Sequence, residues 1–167
     1  FEQPWLIRLR TTKITGADIR PALVAIDRIA RAIDEADCEE VLTAGYDVGR
    51  TRDASELTIV GVSTAGAYPA RGLITLEKTP YNEQAAVIAY ALDRLPIARL
   101  WIDRNGIGNQ LAEDTAASYP GRADGYTFSQ PSKTLLATNA KMLVQQRRFL
   151  IPPDRDLAYQ IHSIKKI

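Results

Sequence analysis

The stretch AGYDVGRTRDASELTIVGV, residues 44–62, joins two apolar segments through a strongly charged turn. Asp47 closes the first segment, and Asp53 lies six residues later, just before the second segment. Arg50 and Arg52 lie between the two acids. Apolar segments on either side of a short glycine-containing link indicate a β-hairpin. Its charged tip is typical of a solvated turn, and also of a metal site that acts on phosphate.

Composition limits the classes of function that this chain can have. Its 167 residues suit one domain, and a hydrophobic fraction of 46% is enough for a packed core. The net charge of +1 means that any nucleic-acid binding depends on a local patch. One cysteine and one histidine exclude an internal disulfide and a multi-histidine metal site. No apolar run approaches the ~20 residues needed to cross a membrane, so no membrane association is expected.

The periodicity of apolar residues changes along the chain. It predicts an extended lead-in and one helix within residues 1–40, and then the following elements: strands at 41–48, 57–63 and 72–77, helix 81–95, strand 99–103, helix 105–118, strand 123–128, helix 133–148, a strand-like stub at 149–151 and a helical segment at 156–164. A meander followed by strand–helix units predicts an α/β fold with a mixed sheet of five to six strands, flanked by helices. Four residues of the helix predicted at 133–148 are expected to face inward: Leu136, Ala140, Leu143 and Val144. Trp101 is expected in the core.

The predicted topology brings a second acid to Asp47. The right-handed crossover rule allows the strand that ends at Asp103 to lie parallel to the one that ends at Asp47. Neighbouring strands are about 4.8 Å apart, so two aspartates at the same height can share a metal ion. Mg²⁺ prefers a few carboxylate oxygens together with water and phosphate oxygens. Two such ions ~4 Å apart can activate water and stabilise a leaving oxygen in phosphodiester cleavage.

Each acid taken alone also has an ordinary structural explanation. Asp47 precedes a glycine turn and Asp103 precedes Asn-Gly, so each is also typical of a turn or helix-entry residue. Asp53 is more typical of a cap than of a metal ligand. Lys133 begins a helix, where the helix dipole disfavours a cation, and this favours a contact with phosphate there.

Three stretches together resemble the C-terminal nuclease domain of the large terminase subunit of tailed phages and prophages. They are residues 44–62, LWIDRNGIGNQLAED at residues 100–114, and YTFSQPSKTLLATNAKMLVQQRRFLIPPDRDLAYQIHSIKK at residues 126–166. The resemblance is an ordered set of spaced matches that covers residues 41–167. It implies an RNase H-like fold. It also implies an endodeoxyribonuclease that cleaves double-stranded viral DNA concatemers by a two-metal mechanism, with Mg²⁺ or Mn²⁺.

The resemblance implies roles for single residues as well. The family's first acid lies on the first strand and corresponds to Asp47. The second ends the fourth strand before an Asn-x-x-Gly turn and corresponds to Asp103. These two are the expected catalytic and metal-binding residues, and a further aspartate of some relatives falls on Asp53. Contact with DNA phosphates is expected of the basic and amide side chains around them: Arg50, Arg52, Arg104, Asn105 and Lys133.

One departure from the family pattern concerns the third acid. In the family it lies on a later helix, beyond the QIHSIKK-like segment, and this sequence ends at Ile167. The resemblance therefore predicts two of three acids, weak metal binding, and weak or no cleavage. No G-x-x-x-x-G-K-[ST] motif occurs, so the family's ATPase motor is expected elsewhere on the same polypeptide. Residues 1–40 are then a joining segment, and residues 41–167 a nuclease domain truncated at its C-terminus.

Other partners and other functions follow from the same residues. The resemblance implies double-stranded DNA, the small terminase subunit and the portal as partners, in the cytoplasm of a bacterial host cell. A resolvase or transposase-like nuclease would use the same acids on branched DNA. A non-catalytic module would dock on DNA or on the packaging complex. An actin-like ATPase shares the Asp-x-Gly hairpin, seen here at residues 47–49, but needs a second Asp-x-Gly, and Asp103 begins Asp-Arg-Asn-Gly instead.

Overall fold

The computed structural model describes residues 10–49, 53–151 and 154–163 of the chain. Its elements in chain order are β1 (Arg10–Thr15), α1 (Arg20–Asp34), β2 (Leu42–Asp47), β3 (Ser55–Gly61), β4 (Tyr68–Glu77), α2 (Tyr81–Arg94), β5 (Ile97–Asp103), α3 (Gly108–Ser118), β6 (Ala123–Tyr126), α4 (Gln130–Gln145), β7 (Phe149–Leu150) and α5 (Arg155–Ser163). No helix within these residues is long and apolar enough to span a membrane.

The strands form one mixed sheet, which confirms the predicted α/β fold. Six of them lie in the order β1-β4-β3-β2-β5-β6, and β7 pairs with β4. β2, β3 and β4 are the predicted antiparallel meander. β5 is parallel to β2 and β6 is parallel to β5, as expected for strand–helix units. The described sheet has seven strands rather than five to six, because residues 10–15 of the lead-in pair with β4 as the parallel strand β1. β7 lies within the strand-like stub predicted at residues 149–151.

Buried and accessible side chains alternate along the strands, so the sheet has a covered face and an open face. Leu42, Ala44 and Tyr46 of β2 are buried, whereas Thr43 and Gly45 are only half-buried and Asp47 is exposed. β3 alternates in the same way. The buried side chains pack with α1, α2 and α3 into one core. The opposite face, which ends at Asp47, carries the more accessible side chains.

Helix α1 belongs to this core. Ala22, Ala25, Ile26 and Ile29 are buried along one side of it, spaced by three, one and three residues. α1 contacts α2, β1 and β4. The described part of residues 1–40 therefore packs on the sheet and supplies both an edge strand and a covering helix.

Helix α4 forms where it was predicted, but the prediction of its inward face is wrong. None of its residues is buried, and Leu136, Ala140 and Val144 are exposed. Leu143 alone of the four expected residues is half-buried. The main contact of α4 is with the short strand β7. Helical spacing of apolar residues shows that a helix has an apolar side, but not that other elements of the chain cover it.

Candidate functional site

The two predicted acids lie side by side at the end of the sheet. In the parallel pair of β2 and β5, Gly45 is opposite Trp101 and Tyr46 is opposite Ile102. Continued by one residue, this register places Asp47 beside Asp103, on neighbouring strands about 4.8 Å apart. Both aspartates are the last residues of their strands. The carboxyl ends of parallel strands are a common place for ligand sites in α/β folds, because the loops that follow leave a crevice there.

The pKa of Asp47 responds to both partial burial and acidic neighbours. It is raised above its ordinary value, first because the cleft partly removes the carboxylate from water. Repulsion from the charges of Asp103 and Asp53 raises it further. Asp103 and Asp53 are therefore each within electrostatic reach of Asp47. A cation bound among them would relieve this repulsion, and their oxygen atoms are the ligands that Mg²⁺ and Mn²⁺ accept.

A tight turn after β5 fixes the position of Asp103. Its Oδ1 accepts a hydrogen bond from the backbone N–H of Asn105 at 2.8 Å. Gly106 has φ of +70°, a conformation that favours glycine, and α3 begins two residues later at Gly108. A Cβ at Gly108 would collide with the backbone oxygen of Asp103 and crowd Val48. Glycine is needed there because the start of α3 lies directly against the ends of β5 and β2.

A buried polar network fixes the position of Asp47. The hydroxyl groups of Tyr46 and Ser55 donate to Gln84 Oε1, at 2.6 Å and 3.0 Å. Ser55 Oγ accepts the backbone N–H of Gly49 at 3.0 Å, and Gln84 Nε2 donates to the backbone oxygen of Thr79 at 2.8 Å. Tyr46 and Ser55 are each 2% exposed. The network ties α2 to both strands of the hairpin, directly behind the acids.

The acids open into a cleft of about 630 Å³ on the accessible face of the sheet. Its lining includes three groups of side chains with distinct chemistry. They are the carboxylates Asp47, Glu56 and Asp103, the cation Lys133 with the amide Asn105, and the aromatic residues Trp101, Tyr126 and Phe128. Lys133 reaches the cleft from α4, near the N-terminus of that helix. The cleft therefore joins an acidic end to an apolar side, with the cation Lys133 at its border.

The structure separates the predicted site residues into three groups. Asp47, Asp103, Asn105 and Lys133 line the cleft, and Asp53 acts on the charge of Asp47 from beside it. Arg104 does not line the cleft. Its guanidinium donates to Asn109 Oδ1 at 2.9 Å and 3.0 Å, and forms an ion pair with Glu113 at 3.4 Å. Arg50 and Arg52, the other predicted phosphate contacts, lie outside the described residues.

Sequence patterns missed two features of the cleft. Glu56 is directly opposite Asp47 in the antiparallel pair of β2 and β3, and points into the same cleft. The alternation of β3 could have identified it, because Ser55 and Leu57 on either side of it are buried. The expectation that Trp101 is a core residue is wrong, since 41% of it is exposed in the cleft.

The acids do not form a preassembled metal cage. Within the part of the chain that the structure describes, no group of three or more His, Cys, Asp or Glu side chains has the geometry to hold a metal ion. The pair of Asp47 and Asp103 with Asp53 beside them fits a hard divalent cation that keeps several waters and takes further oxygens from a substrate.

The fold is similar to that of two solved nuclease structures. One is the large terminase nuclease from thermophilic phage G20c with bound zinc, with a TM-score of 0.60 and 20% identity, over 75% of this chain and 71% of that chain. The other, of the large terminase nuclease from the same phage, gives a TM-score of 0.56 and 20% identity, over 70% of this chain and 60% of that chain. No protein-family model matches the sequence, and no curated protein matches it. The similarity confirms the fold that the sequence resemblance implies.

Proposed function

We propose that this chain is the nuclease domain of a DNA-packaging terminase, a metal-dependent endonuclease that cleaves double-stranded DNA. One observation carries the proposal: Asp47 and Asp103 end two neighbouring parallel strands, side by side. The similarity in fold to the phage terminase nucleases supports it. The zinc in one of those structures supports a metal in the site, and the oxygen ligands of this chain favour Mg²⁺ or Mn²⁺.

The proposed roles follow from the positions of the side chains. Asp47 and Asp103 would hold the metal ions, and Asp53 adds negative charge beside Asp47. When bound, the metals polarise the phosphodiester and lower the pKa of an attacking water. Asn105 and Lys133 lie in the same cleft, where they can contact phosphate oxygens. Arg50 and Arg52 stay predictions as DNA contacts. Arg104 is engaged with α3, so a part in shaping the turn after Asp103 suits it better than a phosphate contact.

The proposal extends to the assembly in which such a domain works. The nuclease domain comprises residues 41–167, and β1 and α1 of residues 1–40 pack on it. An ATPase motor on the same polypeptide would bring viral DNA to the cleft. The small terminase subunit and the portal are the further proposed partners.

Plasmid cleavage tests the proposal directly. Supercoiled plasmid is incubated with the wild-type chain, Asp47→Asn or Asp103→Asn, in Mg²⁺ or Mn²⁺. Nicked and linear products are expected to form only slowly from wild type, in line with the weak cleavage that the resemblance predicts, and each substitution should slow their formation by roughly a further 100-fold or more, because charge stabilisation at the reacting phosphate is lost. Asp34→Asn is the matched control. Asp34 is an exposed aspartate at the end of α1, on the covered face of the sheet, and its loss should change nothing.

Metal binding is measured separately, by the rise in Tm that Mn²⁺ produces. Wild type and Asp34→Asn should gain stability with increasing Mn²⁺, whereas the cleft variants should gain less, because a ligand stabilises only the folded state that binds it. Asn variants that cut DNA as well as wild type would overturn the assignment of the acids. Equal metal stabilisation of all four proteins would do the same.

A non-catalytic DNA-binding module is the second candidate. The observation that favours it is the lack of a preassembled cluster of three metal ligands among the described residues. This candidate predicts metal-dependent or metal-independent binding to DNA with no nicked product under any of the conditions above. A preference for branched over linear DNA would instead favour a resolvase-like nuclease, and stabilisation by ATP would favour the actin-like alternative.

A further inference from the structure

Three aromatic side chains form one side of the cleft and contact each other edge to face. The ring centroids of Trp101 and Tyr126 are 5.8 Å apart with planes at 80°, and those of Tyr126 and Phe128 are 5.0 Å apart at 62°. We call Trp101, Tyr126 and Phe128 the aromatic wall. Such edge-to-face contacts favour a defined ring orientation. Trp101 is therefore held in place although 41% of it is exposed.

An open space lies beside Trp101. Gly45 is its neighbour on β2, and Thr58 follows on β3 in the same row across the sheet. Gly45 has no side chain, and no atom lies within 4 Å of the place where a Cβ would be. Most residues on a sheet face cover their neighbours, and the glycine here leaves the floor of the cleft bare. The result is a gap bounded on one side by the indole ring.

The gap lies two residues along the strands from the acids, on the same face of the sheet. Trp101 and Asp103 are two residues apart on β5, so they point to the same face at a distance of about 7 Å along the strand. At the level of the acids, Glu56, Asp47 and Asp103 lie across the neighbouring strands β3, β2 and β5. Tyr126 of β6 is paired with Asp103. The gap and the acids belong to the same cleft. A small ligand in the gap would therefore lie next to anything bound at the carboxylates.

Two cations border the aromatic wall. The guanidinium of Arg99 lies 5.1 Å from the centre of the Trp101 ring, and Lys133 enters the cleft from α4. Arg99, Trp101 and Asp103 alternate along β5, and Arg99 is exposed. The aromatic wall thus has Arg99 against the ring of Trp101 and shares the cleft with Lys133 and the acids. This combination of stacking surface and positive charge is what proteins use to bind unpaired nucleic-acid bases.

We propose that the aromatic wall and the gap over Gly45 bind one unpaired nucleobase of a DNA strand whose phosphate lies at Asp47 and Asp103. The proposal rests on the proposed nuclease function, because it takes the acids as the place of the phosphate. A nucleobase is planar and uncharged, so it can stack on Trp101 without the repulsion that a phosphate would meet from the carboxylates. A base inside a duplex has both faces covered, so the site selects a base that has left the stack.

Binding without divalent metal tests this site independently of cleavage. The probes are a fluorescent oligothymidylate, the same strand paired in a duplex, and the same strand with abasic positions. All proteins carry Asp47→Asn, which prevents cleavage and lowers the repulsion in the cleft. In that background Trp101→Ala should weaken binding of the unpaired strand about 5- to 150-fold, the loss expected for one stacked base. Trp101→Phe should restore most of the affinity, and duplex binding should change less than about twofold.

A second variant blocks the gap and leaves the aromatic wall intact. Gly45→Val fills the open space with a side chain that suits a strand, and should weaken binding of the unpaired strand as Trp101→Ala does. Tyr81→Ala is the matched control, because Tyr81 is also 41% exposed but lies on α2. In a Trp5→Phe background Trp101 is the sole tryptophan of the chain, so quenching of its fluorescence by oligothymidylate reports the stacking directly.

The outcomes separate this proposal from the nuclease proposal. Losses that are confined to the unpaired strand and absent for the abasic strand support the nucleobase site. Unchanged binding by both Trp101→Ala and Gly45→Val overturns it, as do equal losses for duplex and abasic strands. If these variants bind normally while the chain with Asp47 intact cuts plasmid, the nucleobase site is wrong and the nuclease stands. If the unpaired strand binds as expected but no metal supports cleavage, the nuclease is wrong and the nucleobase site stands.

Discussion

Replacing Glu39 with glutamine is expected to destabilise the fold by about 3 kcal/mol, although Glu39 is remote from the acids. Its carboxylate is paired with Arg71 on β4: Nε donates to Oε2 at 2.6 Å, and Nη2 donates to Oε1. The side chains of Arg71 and Glu39 are only 5% and 15% exposed. Arg71 lies where the register of β3 and β4 shifts, between the pairs formed by Gly72 and Ala70. The pair thus joins the loop before β2 to an irregular point of the sheet.

The size of the effect follows from what each substitution leaves behind. Removing one partner of a buried ion pair costs about 3–5 kcal/mol, because the other charge stays buried without compensation. Glu39→Gln leaves the guanidinium of Arg71, whose Nη1 already has no hydrogen-bond partner in the described part of the chain. Arg71→Met leaves the more exposed carboxylate, which water can reach, so a smaller loss of about 2 kcal/mol is expected. The double variant should be more stable than the sum of the two losses predicts.

Urea unfolding of the four proteins, analysed as a double-mutant cycle, measures these differences. The pH dependence is a second measurement. Burial by itself would raise the pKa of Glu39, but its hydrogen bonds to Arg71 outweigh this and the pKa is lowered from 4.5. The stabilisation is therefore present above pH 4.5 and lost as the pH falls through the lowered pKa, and Glu39→Gln should not show that loss. A cost below about 1 kcal/mol for Glu39→Gln, or strict additivity in the cycle, would refute the argument.

Three further substitutions test the support of the acids. Gly108→Ala should lower the free energy of unfolding by about 1–3 kcal/mol, measured in urea, because its Cβ collides with the backbone of Asp103. Cleavage should fall as well. Unchanged stability would show that α3 adjusts freely. Gln84→Leu should cost about 2 kcal/mol by leaving the hydroxyl of Tyr46 buried without a partner, and a Tm equal to that of wild type would argue against the network. Asp47→Asn should raise stability without metal by less than about 1 kcal/mol at neutral pH. Since the pKa of Asp47 is raised, wild-type stability should fall as the pH rises through it, and a variant with the same pH profile would contradict this.

The placement of Asp47 beside Asp103 was predictable from the apolar pattern of two strands and the right-handed crossover rule. Asp47 and Asp103 each end an apolar strand, and the right-handed crossover allows those strands to be parallel neighbours. The number of strands was harder to predict. The sequence of β1 is RTTKIT, and among its residues 11–15 Ile14 is the sole buried one, so an edge strand of this kind gives almost no apolar signal. Its pairing with β4 joins residues about 60 positions apart, which no local pattern reports.

The apolar side of the cleft was not predictable for a different reason. Trp101 alternates with the buried residues Leu100 and Ile102, but a large aromatic residue in an apolar strand is most often interior. Its exposure depends on Gly45, which is 56 residues earlier and becomes its neighbour only through the pairing of β2 with β5. The face that a strand presents to solvent is set by what covers the sheet, and here the described helices α1, α2 and α3 pack with the buried side of the strands.

The hairpin of β2 and β3 has two ends with opposite effects on stability. At one end Leu42 pairs with Gly61, next to the loop that carries Glu39, and buried apolar contacts and an ion pair stabilise the fold. At the other end Asp47 pairs with Glu56, and the charges of Asp103 and Asp53 repel that of Asp47 beside the cleft. Functional sites are commonly less stable than the structure around them. Because the strands between the two ends are buried on one face, the stable end can hold the repulsive end in place. Neutralising substitutions should therefore have opposite signs at the two ends: destabilising at Glu39, and stabilising at Asp47 while metal is absent.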